Sequence, residues 1–345
     1  MKKDIRSLSL KDLCSFFESN NYPSFRGKQV YNWLWNKTCF SFDEMTNISL
    51  QLRNLLKNKF VINHIKIDDI QKSNDGTIKN AVKLFDNLLV ESVLIPVKNR
   101  TTACISSQVG CSLDCKFCAT SGLKRMRNLN PDEIFDQAST INLQSKLYYD
   151  RPISNIVFMG MGEPLLNYKN LILGIEKITS KDGLGMSPKR ITVSTSGITK
   201  LIIKMADDNV KFNLAISLHS AIEEIRNKIM PFSKRFPLNE LLDAVKYWNK
   251  KTRKIVTYEY IVWKDINDDK KDINALVEYC KSSPCKVNLI QYNKTDNPFY
   301  VAADDKIIDN YIHELEKNRI PVTIRKSRGK DIDAACGQLA NKLIN

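Results

Sequence analysis

Three cysteines fall within one short run, Gly110-Cys111-Ser112-Leu113-Asp114-Cys115-Lys116-Phe117-Cys118. Thiolates are soft ligands for iron or zinc, and a Cys-x3-Cys-x2-Cys spacing aims Cys111, Cys115 and Cys118 at one centre. A closed zinc site takes four ligands, and so does an ordinary iron–sulfur cluster. Three ligands on one loop leave one iron of a cubane without a protein ligand, a position open to a substrate or cofactor. The competing reading is a zinc loop with a distant fourth ligand. The spacing is not that of paired Cys-x2-Cys ribbons, and none of His64, His219 and His313 lies beside the loop.

The elements around the loop belong to a parallel α/β protein. Strands are expected at 156–159, 190–194, 212–218, 257–262, 287–291 and 322–325, with helical patterns between them. Such alternation implies right-handed crossovers. About six units are too few for a closed eight-fold barrel, so the fold class is α/β with an open partial (β/α)6 barrel. The helix over 131–147 starts from Asn130, Pro131 and Glu133, a capping-box arrangement. Chemistry in this architecture gathers at the carboxyl ends of strands. Those ends read Gly160-Met161-Gly162-Glu163, Ser194-Thr195-Ser196-Gly197, Ser217-Leu218-His219 and Tyr292-Asn293. The glycines would let a ligand approach the backbone, and Glu163 offers a carboxylate to an ammonium group. Leu165 stands where a dinucleotide fingerprint needs glycine. Four polar ends in succession argue for one elongated polar cofactor.

Residues 1–60 read as a basic helical accessory domain, 61–97 as a β-rich connecting segment, and 98–345 as the catalytic domain. In 1–60 Lys and Arg outnumber acids two to one, and Tyr22, Phe25, Tyr31, Trp33 and Trp35 interleave with them. The mixture suits RNA, although tryptophans at helical spacing are more often core. Residues 81–85 and 88–95 flank Asp86-Asn87 as a two-residue hairpin. Glu91 interrupts the second, apolar run. The formal charge of +15 favours a polyanionic partner. No run of apolar residues is long enough to cross a membrane, and the amino terminus lacks a secretory pattern. The expectation is a cytoplasmic protein with reduced or metal-bound cysteines and no sign of an obligate oligomer, so a monomer.

The strings CISSQVGCSLDCKFCATSG, FMGMGEPLLN, RITVSTSG, LAISLHS, CKVNLIQYN and IRKSRGKDIDAACGQLA resemble the radical SAM adenine-C2 methyltransferases of ribosomal and transfer RNA, the RlmN family. The resemblance implies that Cys111, Cys115 and Cys118 hold a [4Fe–4S] cluster. It implies that Gly162, Glu163, Ser194, Ser217, Leu218, His219 and Asn293 contact S-adenosyl-L-methionine (SAM). Cys336 would be the residue that becomes S-methylated, Cys104 its partner in a transient disulfide, and Glu91 a proton acceptor. Cys14, Cys39, Cys280 and Cys285 read as apolar thiols. The substrates implied are one adenine of 23S rRNA and one in the anticodon stem-loop of certain tRNAs. An external flavodoxin- or ferredoxin-like electron donor is implied as well. The C8-methylating Cfr type shares the cysteines, but Pro164-Leu165-Leu166, Ser196 and Lys326-Ser327-Arg328-Gly329 are closer to the C2 enzymes. Gln291 departs from the proline of many relatives. A rival of another class is a zinc-stabilised, non-catalytic RNA-binding protein.

Adenine C2 is electrophilic and does not attack the methyl of SAM. A route fitting five cysteines uses two SAM molecules per turnover. Cys336 takes a methyl from one, on a mobile loop marked by Gly329 and Gly337. Radical cleavage of the second activates that methyl for addition to C2. Cys104 then attacks the sulfur of Cys336, and thiol–disulfide exchange resets the pair. The amino-terminal segment, Lys124-Arg125-Arg127 and the basic tail from Lys317 are the expected phosphate contacts.

Overall fold

The first sixty residues fold as their apolar spacing dictates. Helices α1 (Leu10–Ser19), α2 (Phe25–Trp35) and α3 (Leu50–Lys59) bury Leu13 and Phe17, Val30 and Leu34, and Leu52 and Leu56. Ser9 and Asp12 cap α1 reciprocally, satisfying amides that a helix leaves unpaired. Strand β1 (Lys3–Asp4) pairs in parallel with β2 (Phe60–Val61), tying the ends of the segment together. Trp35 is buried edge-on to Phe135, with 5.2 Å between ring centroids. It closes the seam with the rest of the molecule and offers no stacking surface. Arg6 is internal too, bonded to Asp136 at 2.8 and 2.9 Å and to Asp132 at 3.0 Å, so it is not one of the phosphate contacts expected of this segment.

The computed structural model describes residues 2–295 and 297–340. The last five residues of the segment assigned to 98–345, with Lys342 of the basic tail, lie outside the described residues. A ten-stranded sheet dominates. Strands β3 (Lys66–Lys72), β4 (Ile78–Lys83), β5 (Leu89–Val97) and β6 (Arg100–Cys104) are successively antiparallel. A small pair, β7 (Gln108–Val109) and β8 (Arg127–Asn128), brackets the cysteine loop. Strands β9 (Asn155–Phe158), β10 (Ile191–Thr195), β11 (Asn213–Ser217), β12 (Val256–Ile261), β13 (Cys285–Ile290) and β14 (Val322–Arg325) then follow β6, each parallel to its predecessor. The crossovers carry α4 (Pro131–Tyr149), α5 (Tyr168–Thr179), α6 (Thr199–Asp207), α7 (Glu223–Ile229), α8 (Leu238–Thr252), α9 (Lys270–Lys281) and α10 (Asp305–Lys317).

The architecture is the open (β/α)6 partial barrel, headed by β6 and closed at its edge by β14. Every strand expected between 156 and 325 is present. The Asn130–Glu133 capping box opens α4, and Ile134, Phe135, Ala138 and Ile141 are its buried face. Residues 66–97 extend the same sheet. The boundary expected at 97/98 falls in the turn joining β5 to β6, next to the Val97–Arg100 pair. The β4–β5 hairpin differs from expectation. Leu84 N–H donates to Leu88 O and Asn87 N–H to Leu84 O, so Phe85, Asp86 and Asn87 form a three-residue loop with Asn87 at φ 66°. Among the described residues no helix is long and apolar enough to cross a membrane.

Candidate active site

The cysteine loop lies across the carboxyl ends of the parallel strands and walls a cleft of about 150 Å³. Cys111, Cys115, Cys118, Gly162, Glu163, Ser194, Ser217, His219 and Cys336 all line it. The remaining candidates stand behind the wall. Leu218 is wholly buried, and Asn293 donates from Nδ2 to the Cys336 carbonyl at 3.2 Å. Cys104 and Glu91 are buried on β6 and β5.

The loop is anchored by Phe117, which packs edge-on to His219 at 4.8 Å and against Trp263 at 5.1 Å. Burial pushes the Cys111 thiol up to about 11 and raises Cys115 and Cys118 above the ordinary thiol range. Adding the other thiolates as negative neighbours raises Cys115 further. The three would ionise beside a positive centre, which iron supplies, so the donor set fits a [4Fe–4S] cluster. Among the described residues no three His, Cys, Asp or Glu side chains converge as the ligands of a single ion do. Thiols that each take a different iron have no need to converge. Asn293 Oδ1 is buried without a hydrogen-bond partner, an acceptor suited to a donor on a polar cofactor such as SAM.

Glu163 is set by its own loop. Gly162 has φ +94°, and a Cβ there would lie 2.5 Å from Gln108 Cβ; a Cβ at Gly160 would lie 2.6 Å from Ser106 Oγ. Protein fills the space beside both glycines, so they serve the packing of this loop on the stretch after β6. The Glu163 carboxylate accepts from Thr195 Oγ1 at 2.7 Å, Ser196 N at 2.8 Å and Leu165 N at 3.1 Å. Burial raises its pKa against these bonds. Arg226 donates to the Ser196 carbonyl at 2.8 Å and holds the hydroxyl-rich loop from behind.

His219 sits at φ 58°. Its Nδ1 accepts from Ile261 N at 3.2 Å, which puts the neutral ring's proton on Nε2. Burial, helped by Arg226, pulls its pKa down to about 3. Asn267 fixes its carbonyl at 2.7 Å.

Cys336 already stands at the cleft, and hydrogen bonds dock the loop that carries it. Thr120 Oγ1 donates to Leu339 O at 2.6 Å, Ser73 Oγ to Asp331 at 2.6 Å, and Gly329 N to Asp75 at 2.9 Å. Gln291 adds a tether, accepting from Lys330 Nζ at 2.8 Å. Burial, then Cys336, push the Cys104 thiol up to about 12, while Arg325 opposes them. Both are free thiols. Glu91 is engaged by Lys79 Nζ at 3.2 Å and by the Ala340 N–H at 2.8 Å.

Two cleft residues escaped the sequence reading. Arg325, at the end of β14, donates to Met159 Sδ at 2.9 Å and lies 3.7 Å from Glu259 of β12. Glu259 is an acid inside an apolar strand, the signal that singled out Glu91. Arg325 ends a strand, where polar residues are worth inspecting. Of the basic run beside the loop, Lys124 and Arg125 are exposed. Arg127 is not a phosphate contact, because it grips Glu133 with two bonds of 2.8 Å and Asp86 with one of 2.5 Å.

Comparison with known proteins agrees with this geometry. The sequence profile of the radical SAM superfamily matches residues 105–277, and that of the ribosomal RNA large subunit methyltransferase N-terminal domain matches residues 3–62. A Flavobacterium psychrophilum protein named probable dual-specificity RNA methyltransferase RlmN is 64% identical over 343 residues, 99% of either chain. The Geotalea uraniireducens dual-specificity RNA methyltransferase RlmN is 40% identical, covering 99% of this chain and 98% of its own. The crystal structure of a radical SAM methyltransferase from Sphaerobacter thermophilus superimposes with a TM-score of 0.92 at 32% identity, covering 98% of this chain and 99% of that one.

Proposed function

The chain belongs to the RlmN family of radical SAM RNA methyltransferases, and we propose that it methylates C2 of one adenine in 23S rRNA and one in certain tRNAs, through S-methylated Cys336. The observation that carries the reading is that Cys336 and the three loop cysteines line one cleft.

Cys111, Cys115 and Cys118 would hold the cluster. Gly162, Glu163, Ser194, Ser217, Leu218, His219 and Asn293 would hold SAM, with Glu163 for its ammonium group. When bound, the cluster and two molecules of SAM would supply an electron, a methyl group and the means of removing a hydrogen from that methyl. Cys336 Sγ loses its proton and forms the S–C bond to the first methyl. After the activated carbon has joined C2, the C2 proton leaves to Cys104 or Glu91. The odd electron of the adduct would return to the cluster. Cys104, as the thiolate, then attacks Cys336 Sγ, the bond from Cys336 Sγ to the transferred carbon breaks, that carbon takes up a proton to become the methyl group, and methylated RNA leaves a disulfide behind. An external low-potential donor and a thiol reductant complete the cycle.

RNA would be held by the exposed lysines and arginines, Lys124 and Arg125 among them. The test is mass spectrometry of RNA incubated anaerobically with the iron-loaded protein, SAM and reductant. 2-Methyladenosine is the expected product. 8-Methyladenosine would make the chain Cfr-like, and a colourless zinc protein that leaves RNA unmodified would refute the enzyme reading.

A further inference from the structure

Glu259 is the single acid of β12 and is 4% exposed. Its Oε1 accepts from Asn288 Nδ2 at 2.9 Å, whereas Oε2 accepts no hydrogen bond among the described residues. Arg325 Nη1 stands 3.7 Å from that oxygen, too far for a hydrogen bond. A buried carboxylate oxygen without a donor is costly. Both side chains line the cleft, so a bound ligand can supply the missing donor.

The groups on this wall say which ligand. Glu259 and Arg325 line the same cleft as Cys336, and Arg325 stands 3.7 Å from Glu259, so an acceptor and a donor lie side by side in the cleft that holds the reacting thiol. The Watson–Crick edge of adenine runs amino group at N6, ring nitrogen N1, then C2: a donor, an acceptor and the reacting carbon. Resting on the reading that Cys336 delivers a carbon to C2, we infer that Glu259 and Arg325 are specificity-determining residues that read the target base. Glu259 Oε2 accepts from the N6 amino group, and Arg325 donates to N1. Guanine or hypoxanthine presents O6 to Glu259 and N1–H to Arg325, which sets acceptor against acceptor and donor against donor. A protein site built to pair a buried polar group rejects a base that cannot complete the pair. The edge read here is the one used in base pairing, so the target adenine must be unpaired and extruded. The hydrogen bond to N1 also draws electron density from the adjacent C2, which favours addition there.

The experiment uses the anaerobic, cluster-loaded protein and RNA stem-loops carrying adenine, purine or hypoxanthine at one unpaired position. Dissociation constants are read by fluorescence anisotropy. For the wild type, hypoxanthine RNA should bind more weakly than adenine RNA by about tenfold, with purine, which lacks the amino group, between them. Glu259→Gln places an amide that both donates and accepts at this position. It should bring the two affinities within about threefold, with SAM affinity unchanged. Equal wild-type affinity for adenine and hypoxanthine overturns the inference without recourse to any variant. So does a Glu259→Gln protein that loses SAM binding while keeping the base preference, since Glu259 would then serve the cofactor's hydroxyls. Base discrimination without methyl transfer would refute the proposed reaction and leave this inference standing; methyl transfer without discrimination would do the reverse.

Discussion

The main-chain N–H of Ala119 donates to the carbonyl of Gly337 at 2.8 Å. The residue after Cys118 is thus tied to the residue after Cys336, and two loops distant in sequence share one register. Thr120 repeats the tie through Leu339. Thr120→Val keeps the shape and removes that bond, at a cost of about 1 kcal/mol. SAM affinity should persist, methyl transfer should fall, and hydrogen exchange should quicken at 336–340. Unchanged exchange there would show that the loop is held by other contacts.

Cys104→Ala should stop the reaction after carbon–carbon bond formation. The expected outcome is an RNA–protein adduct through Cys336, seen as a band of combined mass that ribonuclease shortens. Normal turnover by this variant would remove Cys104 from the resolving role.

RNA affinity should weaken steeply with salt through counterion release. Lys124→Ala and Arg125→Ala, both at exposed positions, should each reduce the slope of log K against log salt by about one. Arg127→Ala should leave the slope alone and destabilise the fold instead, because its charge is spent on Glu133 and Asp86.

His219 carries a pH dependence. Its folded pKa lies near 3, below the ordinary imidazole value, so between these values the unfolded chain binds the proton and the folded one does not. The contribution is fully present above pH 6.5 and is lost as pH falls toward 3, by about 2 kcal/mol between pH 7.5 and 5. Urea titrations at both pH values should show that loss, and His219→Gln should lack this share of it.

Arg6 joins the amino-terminal helices to α4 through Asp132 and Asp136. Arg6→Met leaves two buried carboxyls without their cation and should destabilise by about 3–5 kcal/mol. A thermal transition within a degree of the wild type would mean that the ion pair is dispensable.

The periodic elements were legible because burial imposes a period. The strands from β9 to β14 and the buried face of α4 follow from local apolar spacing alone. The cysteine loop was legible because three soft ligands seldom fall in one short run unless a metal centre gathers them. Arg325 and Glu259 were not, since their meaning lies in a contact between β12 and β14 that no local window contains. The same limit hid the fate of Arg6 and Arg127: composition counts charges but cannot say which are already neutralised by Asp132, Asp136 and Glu133. The three-residue β4–β5 loop was missed because Phe85, an apolar side chain, reads as strand while its exposed ring sits at the tip of the turn.

The hairpin joining β5 to β6 bears on how the enzyme can be dissected. A fragment starting at residue 98 would strip β6 of its antiparallel neighbour and present a fresh row of amides to any passing chain. It would also discard Glu91 and the Asp75 side chain that receives Gly329. The shortest fragment able to keep its catalytic loop in place should therefore begin ahead of β3, and one cut at 98 should clump on expression.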